Sequence, residues 1–107
     1  MIKARRERLY RDVEFLCAIR PYRNYKNLDS LDKASNYISE EFARHAYKPV
    51  EQFWEAEGND YKNIIASYRE EKKLRLIIGA HYDVAGDQEG ADDNASAVAG
   101  LLETARL

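Results

Sequence analysis

Apolar residues recur at three- and four-residue intervals at both ends of the chain, and the interval shortens in the middle. Leu9, Val13, Leu16 and Cys17 stand at helical spacing, with Lys3, Arg5, Arg6, Arg8 and Arg11 on the opposite side. That pattern predicts an amphipathic first helix with a basic solvent face. A transit peptide or a nucleic-acid arm also begins with such a basic run, but the apolar stripe fits a helix better, and no apolar signal core follows. Pro21 ends the helix. Residues 21–27 form a polar, aromatic connection, and Asp29 or Ser30 is placed to cap a second helix. Leu31, Ala34, Ile38 and Phe42 give that helix its buried stripe, which fades near His45, before Pro49.

From Val50 the period changes. Val50 to Ala56 alternates loosely around Phe53 and Trp54, as a strand does. Glu57-Gly58-Asn59-Asp60 signals a turn, and residues 61–68 return as the second strand of a hairpin. After a charged turn at residues 70–73 comes Leu74-Arg75-Leu76-Ile77-Ile78-Gly79-Ala80. So nearly continuous an apolar run predicts a strand buried on both faces inside a sheet. Residues 95–107 are apolar at 95, 98, 99, 101, 102 and 105 and predict a largely buried helix. Leu107 ends the chain with no Gly, Asn or Pro to stop that helix. The expectation is that residues 1–107 are the N-terminal portion of one larger domain.

Composition narrows the picture. A chain of 107 residues, 45% hydrophobic, 34% charged and with 5 Gly and 2 Pro, is one small folded unit rather than a disordered tail or repeat. The formal charge of -2 gives no general attraction to nucleic acid or anionic membrane, and neither is an expected partner. One cysteine, Cys17, excludes an internal disulfide framework and a Cys-rich zinc module. Cys17 lies on the apolar stripe and reads as core. His45, near a helix end, suits the helix dipole better than a metal.

The chemistry concentrates between residues 79 and 96. The run 74–80 delivers His81 at its C-terminal end, where ligands bind in open α/β sheets. Asp83 follows two residues later, placed to accept the second imidazole N–H and fix the tautomer. The next loop ends in Asp92-Asp93-Asn94 before an apolar helix. Adjacent carboxylates repel unless a cation or a helix dipole offsets them. One histidine and carboxylates converging on a point suit zinc. A hydrogen-bonded surface histidine beside an ordinary helix cap is the competing explanation, and spacing alone leaves both open.

His81-Tyr82-Asp83 with Gly90-Ala91-Asp92-Asp93-Asn94-Ala95-Ser96 resembles the zinc aminopeptidases of peptidase family M28. Asn63-Ile64-Ile65-Ala66 resembles the strand before the family's metal strand, and Leu101-Leu102-Glu103-Thr104-Ala105-Arg106 the helix after its bridging aspartate. The resemblance implies a three-layer α/β/α fold with a mixed sheet, of which this chain supplies two helices, a hairpin, a buried strand and a helix. It implies two zinc ions bridged by a carboxylate and a water, and a peptide substrate cleaved at its N-terminal bond. His81 matches the histidine on one metal, Asp93 the bridging aspartate and Asp83 the carboxylate that orients the histidine. Asp92 matches no ligand. A cis peptide between Asp93 and Asn94 is implied as well. The family's glutamate general base, two further ligands and final histidine fall at positions that this chain does not contain.

The isolated chain is therefore expected to be inactive, and to self-associate or need a further portion to cover its apolar strand. A glutaminyl-cyclase-like zinc acyltransferase is the alternative within the superfamily, though the Asp92-Asp93 pair favours two metals. A non-catalytic binding or assembly module with the same fold is the alternative outside it.

Overall fold

The protein is described by a computed structural model covering residues 2–107. Helix α1 spans Arg6–Cys17 and α2 spans Leu28–Arg44. Strands β1 (Val50–Ala56) and β2 (Asn59–Ile65) form an antiparallel hairpin, and α3 spans Ser96–Arg106. The α/β class stands. No helix among the described residues is long and apolar enough to cross a membrane.

The helices assemble the core. Leu16 and Ile19 from the α1 end meet Ala34, Ile38 and Phe42 of α2, and Ala95, Val98 and Leu102 at α3 close the cluster. Helix α1 packs on α3 and on the turn that precedes it, while α2 touches both α3 and β2. The stripe read on α2 holds at Ala34, Ile38 and Phe42; Leu31 is only half-buried. Cys17 packs against the core, and burial pushes its thiol pKa up, which suits a packing role.

Three local expectations are corrected. The second helix is preceded by Asn27, not Asp29 or Ser30, and Asn27 makes no side-chain cap bond; its amide Nδ2 donates to Tyr22 O instead. Ser30 Oγ donates to Pro21 O, so its hydroxyl serves the connection. The hairpin turn is tighter than read. Glu57 and Gly58 both have positive φ, 51° and 81°, and Ala56 pairs with Asn59, a two-residue loop whose twist matches the strands. β2 thus begins two residues earlier than expected and ends at Ile65.

The third correction concerns residues 74–80. They form no strand, and Leu74, Leu76 and Ile77 are 93%, 87% and 90% exposed. A strand exists only through ladder bonds, and the two strands among the described residues pair only with each other. Without a neighbour on either edge, the apolar side chains of this run have nothing to bury against.

Candidate metal centre

Residues 79–96 leave the exposed run, pack against α1 through the turn Ala91–Ala95, and enter α3. Ala80 and Tyr82 are half-buried against the core, which fixes the two ends of His81 while its ring stays in solvent. Tyr82 Oη donates to Lys62 O at 2.7 Å, tying the segment to β2. Burial, with the charges of Asp32, Asp83 and Glu51, pushes the Tyr82 hydroxyl up to about 12, so it stays a neutral donor.

His81, Asp83 and Asp93 converge. His81 Nδ1 lies 3.0 Å from Asp83 Oδ1 and 3.2 Å from Asp83 O. Both partners only accept, so the Nδ1 nitrogen carries the proton and the lone pair of a neutral ring falls on Nε2. His81 Nε2 in turn lies 3.0 Å from Asp93 Oδ1. A lone pair and a carboxylate oxygen at that distance repel unless a proton or a metal cation stands between them. The donor set, one imidazole nitrogen and one carboxylate oxygen, is of the kind that zinc takes. It fits part of a zinc site: no group of three or more candidate ligands occurs among the described residues.

The loop's backbone explains how Asp93 reaches that place. Gly90 adopts φ 65°, and the turn Ala91–Ala95 departs from helical dihedrals at Asp93 (φ -119°, ψ 86°) and Asn94 (φ -143°, ψ 29°). The Asp93–Asn94 peptide is cis, as the resemblance implies. Asn94 Nδ2 donates to His81 O at 3.4 Å, a long bond that joins the two halves of the site. Ala95 stands at the N-cap of α3, and no side-chain cap bond occurs there. Asp92 is exposed, and its carbonyl accepts from Ser96 Oγ.

Sequence reasoning missed Arg23 and Asn24. Read as part of a polar connection, both are fully buried, at 2% and 1% exposure. Arg23 Nε donates to Tyr82 O at 2.8 Å, Nη1 to Leu16 O at 2.9 Å and to Glu89 O at 2.7 Å, and Nη2 to Gly90 O at 3.0 Å. Arg23 O accepts the Val84 N–H at 2.9 Å. Asn24 Nδ2 reaches Gly86 O and Asp87 Oδ1 at the loop's tip. No periodicity marks a buried guanidinium in a loop, because three of its four carbonyl partners lie 59 to 67 residues away.

The family model described as "Peptidase family M28" matches residues 63–107, the part that contains His81, Asp83 and Asp93. The "Uncharacterized protein YfbL" of Escherichia coli (strain K12) is 41% identical over 109 residues, covering 94% of this chain. In three dimensions the chain is similar to the crystal structure of Tannerella forsythia glutaminyl cyclase, with a TM-score of 0.80 and 25% identity over 98% of this chain. The chain spans 34% of the length of YfbL and 42% of the cyclase.

Proposed function

We propose that this chain, whose residues 63–107 carry the pattern of peptidase family M28, contributes part of the zinc centre of an aminopeptidase. The observation that carries the reading is the 3.0 Å approach of His81 Nε2 to Asp93 Oδ1, with the other ring nitrogen held by Asp83. His81 and Asp93 would hold zinc. Bound zinc polarises a carbonyl and brings the pKa of a coordinated water to about 7.

The chain's own residues prepare that site. Asp83 accepts the Nδ1 proton, which fixes the tautomer and points the Nε2 lone pair at Asp93. Asp93 supplies a carboxylate with two oxygens, enough to serve two cations. The site opens to solvent: the His81 and Asp93 side chains are 55% and 73% exposed, leaving room for a peptide terminus and for further ligands.

A second reading, acyl transfer of the glutaminyl-cyclase kind, draws on the structural similarity to the Tannerella forsythia enzyme. The test is a complete polypeptide carrying this chain, supplied with zinc and offered aminoacyl anilides and peptides with N-terminal glutamine in parallel. Release of the anilide amine supports the aminopeptidase. Cyclisation of glutamine with loss of ammonia supports the second reading. Neither reaction, with zinc bound, would leave a binding module.

A further inference from the structure

The structure assigns to Arg23 the role of positioning residue for the loop that carries the candidate ligands, an inference that rests on the metal reading of His81 and Asp93. The guanidinium donates to Tyr82 O, Glu89 O and Gly90 O, and to Leu16 O at the end of α1. Tyr82 sits between His81 and Asp83, and Gly90 opens the turn that carries Asp93. One buried cation therefore fixes both halves of the site against the core. Its five N–H groups lie in a rigid plane, which a lysine cannot reproduce.

Two neighbours depend on the same clamp. The Arg23 carbonyl accepts the Val84 N–H, so backbone and side chain grip the loop together. A Cβ on Gly90 would stand 2.2 Å from Val84 Cγ1, 2.8 Å from Asp93 O and 3.1 Å from Arg23 Nη2. The loop folds back on itself so tightly there, against Val84 and the Asp93 carbonyl first and Arg23 next, that position 90 admits only glycine, whose positive φ is also free there. Leu16 O also accepts the Ile19 N–H and Gly90 O the Ala95 N–H, but Tyr82 O and Glu89 O take their hydrogen bonds from Arg23, so losing the guanidinium frees the loop at those two points.

The test uses the 107-residue chain with Arg23→Lys and Gly90→Ala, which break the clamp from opposite sides. Amide exchange of the metal-free protein reads loop order, and a zinc titration followed through the His81 ring resonances reads the site. The expected result is at least tenfold faster exchange at Val84 and Ala95, with α2 amides unchanged, and zinc affinity lower by ten- to a hundredfold. Wild-type exchange at both amides in both variants would overturn the assignment. So would loss of the helical signal in both, which would make Arg23 a core residue and nothing more. If zinc leaves the His81 resonances unmoved in the wild-type chain, the metal reading fails, while the exchange result still decides whether Arg23 orders the loop.

Discussion

Arg106 Nη1 lies 2.8 Å from Asp12 Oδ2, and neither side chain is more than 1% exposed. The pair joins the last turn of α3 to the middle of α1. Arg106 also bonds Glu41 of α2 at 2.7 Å and Glu103 one turn back at 3.1 Å. Arg8 donates to Glu103, Arg11 and Arg44 pair with Glu41, and Tyr37 donates its hydroxyl to Asp12. Three buried carboxylates thus share one buried guanidinium where the three helices meet. Burial opposes the Arg106 charge, but the hydrogen bonds that the guanidinium donates to these carboxylates outweigh it and raise the Arg106 pKa above its ordinary value.

Removing Arg106 should therefore cost more than any exposed ion pair. Arg106→Met leaves Asp12, Glu41 and Glu103 buried with fewer cations, and the expected loss is about 3–5 kcal/mol. Urea unfolding followed by far-UV dichroism measures it. A loss under 1 kcal/mol would show that water reaches the cluster.

The same junction should make stability fall at acid pH. Burial raises the Glu103 carboxyl, but bonds from Arg8, the Arg5 N–H and Arg106 prevail and hold it at about 2, against an ordinary value of 4.5. Because the folded state has the lower value, the contribution is complete above about 4.5 and disappears as the pH falls toward 2. Unfolding free energies between pH 6 and pH 2 should decline across that window. Glu103→Gln should flatten the decline; an unchanged slope in that variant would place the effect elsewhere.

The 107-residue chain should bind zinc weakly and turn over no aminoacyl anilide. It brings one imidazole and one carboxylate to the site, where a closed zinc site uses four ligands. The weak binding should vanish in His81→Ala and fall ten- to a hundredfold in Asp83→Ala, which loses the bond that fixes the ring. Tight stoichiometric zinc in calorimetry, or turnover abolished by His81→Ala, would contradict this.

The chain should also self-associate. Leu74, Leu76, Ile77 and Ile78 stand exposed in succession, and an unpaired apolar segment is a template for pairing with another chain. Light scattering across a concentration series should show growing mass, reduced by Ile77→Lys. A stable monomer at high concentration, with slow amide exchange between Leu76 and Gly79, would mean that the segment finds its cover within one chain.

The sequence by itself determined the elements whose signals are local. Helical spacing located α1, α2 and α3, because an apolar stripe on a helix has only one way to be buried. Alternation and a glycine turn located the hairpin, and the motif pair brought His81, Asp83 and Asp93 forward. Tertiary structure decided the rest. The arginines at the start of α1 read as a solvent face and nothing in the sequence pairs the charges of the three helices, yet the side chains of Asp12, Glu41, Glu103 and Arg106 are buried together, since charges distant in sequence find each other only when the helices dock. Arg23 followed the same logic through backbone carbonyls that no pattern announces. Residues 74–80 went the other way: their apolar run states a preference for a sheet interior, but burial needs neighbouring strands, and neighbours are a property of the fold rather than of the run.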